Sequence, residues 1–204
     1  VSEAGRRVVL ASHNTGKLAE LRRILEPELP GIEVLGLGDI GDFAEPVEDQ
    51  PTFEGNALLK ARAAAKATGL PSLADDSGLC VDALNGMPGV LSARWGGRPK
   101  SDARNNALLL DQLADVPDER RGAEFRCAMA LTMPSGAEVV EIGIMRGRIQ
   151  REATGDGGFG YDPLFAADGY DVSTAELTPA DKDAISHRGN ALRAMVPHLV
   201  ALLA

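Results

Sequence analysis

Aromatic residues are scarce in this 204-residue chain: five Phe, two Tyr and one Trp, 4% of the total. Each ring is therefore a candidate for a specific task. Positive charge is also in deficit, with 21 Lys and Arg against 30 Asp and Glu and a formal net charge of −9. That excludes a protein that coats nucleic acid, because phosphate backbones demand a broad basic surface. A small anion remains within reach of a local cluster of Lys, Arg and backbone N–H groups, helped by a metal. Cysteine is limited to Cys80 and Cys127, each in an apolar context (GLCVDAL and FRCAMAL). Neither has the close Cys or His spacing of a zinc site, so both read as buried free thiols of a reducing cytoplasm. No run approaches the roughly 18 apolar residues of a membrane span. The opening VSEAGRR is polar and lacks the apolar core of a signal sequence, so no secretory leader is expected. Internal repeats and low-complexity blocks are missing too.

What is present is enough apolar residue, 44%, for a sizeable core. The length fits one domain, or one core split into two lobes. Val8 to Ser12 (VVLAS) predicts a strand. Leu18, Leu21 and Leu25 then recur with helical spacing, with Glu20, Arg22 and Arg23 facing water and Pro27 and Pro30 as the stop. Residues 32–37 read as a second strand and 38–51 as an acidic loop. A long helix is expected from Phe53 to Thr68, its apolar stripe Ala57, Leu58, Ala61, Ala64 and Ala65, its end at Gly69. Asn56 and Lys60, four apart, share another face. Residues 85–100, with four glycines and two prolines, read as loop. Ser101-Asp102 opens a helix to about Leu113. Runs at 125–133 and 137–148 flank Pro134-Ser135-Gly136 as a hairpin. Thr178-Pro179 starts a further helix. In the last one Leu192, Met195, Leu199 and Leu203 form the stripe, and Pro197 implies a kink or break. Strands mixed with helices argue for an α/β fold.

Four segments carry chemistry. Ser12-His13-Asn14-Thr15-Gly16-Lys17 lies at a strand-to-helix junction, where free N–H groups and the positive helix end favour phosphate. It is not a Walker A loop, since Ala11 and Leu18 stand where that motif requires Gly and Ser or Thr. An ordinary helix cap fits the same residues. Asp75-Asp76, at the end of an apolar run, suit a Mg²⁺ site, because magnesium takes one or two carboxylates plus phosphate oxygens and water. A solvated turn is the alternative, and Glu48-Asp49 could supply another carboxylate. Gly157 to Pro163 set Phe159 and Tyr161 in a glycine-rich loop, either for stacking a base or as a tight turn packing on the core. Lys182 and Ser186-His187-Arg188-Gly189, read as a turn between helices, bring donors for a carbonyl or phosphate.

Five stretches together resemble the inosine triphosphate pyrophosphatase family: SHNTGKLAEL, TFEGNALLKARAAAK, LADDSGLCVDALNGMPGVLSARW, GGFGYDPLF and AISHRGNAL. They run in family order from residue 12 to 192, so the resemblance covers nearly the whole chain. It implies one two-lobed domain over 1–204. The fold would be an elongated mixed β-sheet flanked by helices, with the active-site cleft between the lobes. It implies Mg²⁺-dependent hydrolysis of ITP, dITP and XTP to the monophosphate and pyrophosphate, by a cytoplasmic homodimer with no nucleic acid or membrane partner. Asp76 matches the catalytic carboxylate and metal ligand, with Asp75 helping to place water or metal. Glu48 falls where the family has a metal-associated acid, in a register that Asp49 leaves open. Ser12, His13, Asn14, Thr15, Gly16 and Lys17 match the phosphate loop, with Lys60 and Ser77 as further substrate contacts. Phe159, Gly160, Tyr161 and Asp162 match the base-side loop, Phe159 being the stacking ring. Lys182, His187 and Arg188 match the clamp that reads the purine. Ser12 stands where many relatives have Thr, and Trp95 where many have Tyr. The rival readings are a relative with another base preference and a nucleotide-binding regulator without catalysis.

Overall fold

The computed structural model describes residues 7–41 and 46–203. The expectation for the N-terminal leader therefore falls almost wholly outside the described residues, as does the middle of the loop expected at 38–51. Among the described residues six strands form one mixed sheet in the order β2-β1-β3-β4-β5-β6. They are β1 (Arg7–Leu10), β2 (Glu33–Gly36), β3 (Ser72–Val81), β4 (Gly122–Thr132), β5 (Glu138–Ile149) and β6 (Phe165–Ala167). β1 pairs in parallel with both β2 and β3, while β5 and β6 are antiparallel. The helices are α1 (Thr15–Glu28), α2 (Leu37–Ile40), α3 (Phe53–Thr68), α4 (Asp102–Gln112), α5 (Pro179–Ile185) and α6 (His187–Leu203). This is the α/β class expected.

Local chemistry explains the boundaries. The Thr52 hydroxyl accepts the Gly55 N–H at the start of α3, and Gly69, at φ 67°, returns its N–H to the Ala65 carbonyl at the end. Ser101 and Thr178 cap α4 and α5 in the same way. Several expectations need correction. Pro27 lies inside the last turn of α1, which ends one residue later. Glu20 does not face water but is buried. The short helix Leu37–Ile40 starts on the last residue expected of the second strand and runs into the expected loop, and Gly89–Arg94 forms a 3₁₀ segment inside another stretch expected to be loop. Lys182 belongs to α5, and His187 and Arg188 open α6 rather than standing in a turn. α6 continues through Pro197. The largest correction concerns Asp75 and Asp76. They sit within a continuous ten-residue strand, not at its end.

The chain divides into two compact units. Among the described residues, the first lies within 1–76, 127–143 and 188–204. One of its cores joins Leu10, Leu21, Leu25, Leu73, Met129 and Leu192. The other is built from small residues: Ala57, Ala61 and Ala64 of α3 meet Val9, Ala11, Ala74, Ala128 and Ala130. Small side chains on both surfaces let the helix lie close to the sheet. That close approach is what brings Asn56 and Lys60, on a neighbouring helix face, within reach of β3.

The second unit takes in 77–126 and 144–187. Its core gathers Leu79, Val81, Leu109, Phe125, Met145, Tyr161 and Phe165. Arg121 is buried there and donates to the carbonyls of Leu113, Ile149 and Gln150 at 2.6, 2.9 and 3.0 Å. One guanidinium thus ties the end of α4 to the end of β5.

Candidate active site

In the first unit the site is organised around Asp75. Its buried carboxylate accepts from Lys17 Nζ at 3.0 and 2.9 Å and from Arg188 Nε at 3.1 Å. Arg188 also donates from Nη1 to Glu20 at 2.6 Å. Burial alone would raise the Asp75 pKa, but the charges of Lys17, Arg188 and Lys60 outweigh it and hold the group well below the usual carboxylate range. Burial likewise opposes charge on Arg188, and Asp75 and Glu20 reverse that, so its pKa is raised. Four charges therefore neutralise one another, which is why an aspartate can occupy the middle of a buried strand.

Asp76 differs. Asn56 donates to its Oδ2 at 2.9 Å and, through its own Oδ1, accepts the Gln50 N–H at 3.0 Å. Lys60 donates to Glu48 at 2.6 Å and to the Asp75 carbonyl at 2.7 Å, with its Nζ 4.0 Å from Asp76 Oδ1. Burial raises the Asp76 pKa, and Glu48 and Asp75 add to it, against the lowering effect of Lys60 and Asn56. Two neighbouring carboxylates, one pushed towards its neutral form, would gain from an oxygen-seeking divalent cation. Among the described residues no group of three His, Cys, Asp or Glu side chains is set to hold a metal alone. Asp76 and Glu48 can supply two carboxylate ligands, within the number magnesium accepts when water and phosphate complete the shell.

The start of α1 lies in the same unit. Asn14 caps it, its Oδ1 accepting the Lys17 N–H at 3.1 Å, and Ser12 Oγ accepts the Asn14 N–H at 3.2 Å. His13, Asn14, Thr15 and Gly16 are exposed. The segment is thus a capped helix start whose residues 13–16 face solvent.

The second unit holds the residues expected at the base. Phe159 is 48% exposed, whereas Tyr161 is buried and donates its hydroxyl to the Ser92 carbonyl at 2.9 Å. Of the two rings only Phe159 is presented to solvent. Asp162 is buried as well. Its Oδ1 accepts from Thr174 at 3.0 Å, and its Oδ2 accepts the Phe159 N–H at 2.8 Å and Lys182 Nζ at 2.5 Å. It therefore holds the Lys182 ammonium 5.4 Å from the centre of the Phe159 ring. The buried His187 ring stacks on Phe125 with centroids 4.9 Å apart. Ser77 follows Asp76 on β3 and is half-buried.

The first unit thus groups Lys17, Lys60, Asp75, Asp76, Glu48 and Arg188, and the second groups Phe159, Asp162 and Lys182. Arg188, expected beside Lys182 and His187, is engaged with carboxylates of the first unit. Sequence reasoning missed Asn56 as the donor to Asp76 and Glu20 as the partner of Arg188. The shared face of Asn56 and Lys60 was the available signal for the former. Glu20 offered none.

Residues 8–198 match the Ham1 family model. The chain is 61% identical over 197 residues to the dITP/XTP pyrophosphatase of Nocardia farcinica, covering 96% of each. Among solved structures it resembles the nucleoside-triphosphatase / dITP/XTP pyrophosphatase of Mycobacterium abscessus, with 55% identity and a TM-score of 0.77 over 94% of this chain and 99% of that one. It also resembles a HAM1 protein from Coxiella burnetii, with 42% identity and a TM-score of 0.86 over 96% and 98% of the two chains.

Proposed function

Because this chain belongs to the Ham1 family, we propose that it hydrolyses dITP, ITP and XTP to the monophosphate and pyrophosphate. It is a nucleoside triphosphate pyrophosphatase, as its relatives are named. The observation that carries the reading is the arrangement of Asp76, Glu48 and Lys60 beside a fully neutralised Asp75. A pure anion binder gains nothing from carboxylates.

Magnesium held by Asp76 and Glu48 would shield the phosphate charge and lower the pKa of water. Asp76 orients the attacking water and accepts its proton, a role suited to a carboxylate whose pKa is raised by burial. Asn56 fixes the orientation of the Asp76 carboxylate through one of its oxygens. A bond forms between the water oxygen and the α-phosphorus, and the bond from that phosphorus to the bridging oxygen breaks. Among the described residues Lys17 and Lys60 each spend two of three N–H groups on protein oxygens, which leaves each a donor for the departing pyrophosphate.

In the second unit, Phe159 stacks on the purine, and Lys182 or His187 donates to a 6-carbonyl, which hypoxanthine and xanthine carry and adenine does not; guanine carries it too, so its rejection falls on the 2-amino group. The cytoplasmic homodimer also belongs to this proposal. Both the compartment and the dimer rest on the family resemblance, and Cys80 and Cys127, which form no disulfide, suit a reducing compartment. Among the described residues no helix is long and apolar enough to cross a membrane.

Hydrolysis of ITP in ¹⁸O-labelled water tests the reaction. Label should enter the monophosphate. Label in the phosphate product that leaves, or release of IDP and orthophosphate, would refute attack at the α-phosphorus.

A further inference from the structure

α4 carries two side chains, one turn apart, that engage both backbone polar groups of a single residue in the base-side loop. Asp102 Oδ2 accepts the Gly160 N–H at 2.8 Å, and Asn106 Nδ2 donates to the Gly160 carbonyl at 3.1 Å. Spacing of four residues puts both on one helix face. Gly160 has φ +65°, so its N–H and C=O lie outside any regular ladder and need partners of this kind.

α4 is itself fastened. Asn105 Nδ2 reaches the Ser92 and Ala93 carbonyls at 3.3 Å each, and its Oδ1 accepts the Gly96 N–H at 2.6 Å. Arg121 holds the Leu113 carbonyl at the other end. The clamp on Gly160 is thus anchored to a fixed element on one side. On the other side it borders Phe159, whose N–H is bound to Asp162 and whose ring stands half exposed beside Lys182.

An exposed ring gains little packing energy from such control of its backbone. A ligand gains more, because a ring already in place loses less freedom on binding. We propose that Asp102 and Asn106 are positioning residues for base recognition. By holding Gly160 they set Phe159 and Lys182 before the purine arrives. The proposal rests on the reading that Phe159 and Lys182 receive the base. Asp102 is exposed, so losing its bond should be felt in substrate affinity more than in stability.

The test is steady-state kinetics with ITP, ATP and GTP on the full chain, with thermal unfolding alongside. The variants are Asp102→Ala, Asn106→Ala, Asp102→Asn and Phe159→Ala. Asp102→Ala and Asn106→Ala should each raise KM for ITP about three- to tenfold, the scale of one lost hydrogen bond, and leave kcat within about twofold. Preference for ITP over ATP and GTP should fall with it. Asp102→Asn keeps an accepting oxygen and should restore most of the affinity. Unchanged KM in both alanine variants, while Phe159→Ala raises it, would overturn the clamp and leave the base reading standing. So would an Asp102→Asn enzyme as impaired as Asp102→Ala. A collapse of thermal stability in Asp102→Ala would make the role structural and also overturn it. Unchanged KM in Phe159→Ala would instead remove the base reading, and the clamp with it.

Discussion

Replacing Asp75 by Asn leaves the shape of the site intact and removes one charge from a buried network of four. Its side chain is 1% exposed and that of Arg188 5% exposed, so solvent cannot take over the lost interaction. Lys17 and Arg188 would both face an amide that offers one acceptor oxygen in place of two. Removing one partner from a buried ion pair costs about 3–5 kcal/mol. For a chain of this length about 1 kcal/mol shifts Tm by about 2–4 °C, so a fall of roughly 6–20 °C is expected. The check is thermal and urea unfolding of both proteins at pH 7, followed by urea curves at lower pH. The folded state holds the Asp75 pKa below its unfolded value. Its contribution is therefore complete above the unfolded value of about 3.9 and drains away as pH falls below it. The amide in the variant cannot titrate, so the gap between the proteins should narrow below about pH 4. A variant within about 1 kcal/mol of wild type at pH 7 would refute the network as a source of stability. So would a gap that persists unchanged into strong acid.

Asp76→Asn should lower kcat by at least about a hundredfold while the far-ultraviolet circular dichroism and Tm stay close to wild type. Turnover at the wild-type rate would take Asp76 out of the mechanism. Asn56→Ala should reduce kcat about ten- to a hundredfold through a misplaced Asp76. The initial rate at saturating ITP measures it, and an unchanged rate would mean that Asn56 only fills space. Arg121→Met strips the buried Leu113 and Ile149 carbonyls, and the part-buried Gln150 carbonyl, of their guanidinium donor and should cost about 3 kcal/mol in urea unfolding, with kcat for ITP largely retained.

Much of the architecture was legible because local signals agreed with tertiary needs. α3 is the clearest case, with a Thr cap, an Ala stripe and a Gly at positive φ all in sequence order. β3 was misread because Asp-Asp-Ser-Gly has the composition of a turn. What keeps it extended comes from Lys17, 58 positions away, and Arg188, 113 positions away. No local pattern reports a charge neutralised at that distance. Glu20 misled for the same reason: it sits where a solvent-facing residue of α1 belongs, until Arg188 arrives. The segments proposed to be catalytic and base-side were picked out through motif resemblance. Which members of each segment face outward was not legible. Phe159 and Tyr161 are two residues apart, and only packing decides that one ring is exposed and the other buried.

Pyrophosphate release from ITP, dITP, XTP, ATP and GTP, each with Mg²⁺ and with EDTA, tests the central claim most directly. Release from the first three alone, abolished by EDTA, is the predicted result. Equal release from ATP and GTP would contradict the base reading, and no release from any of the five would contradict the assignment of this chain as a pyrophosphatase.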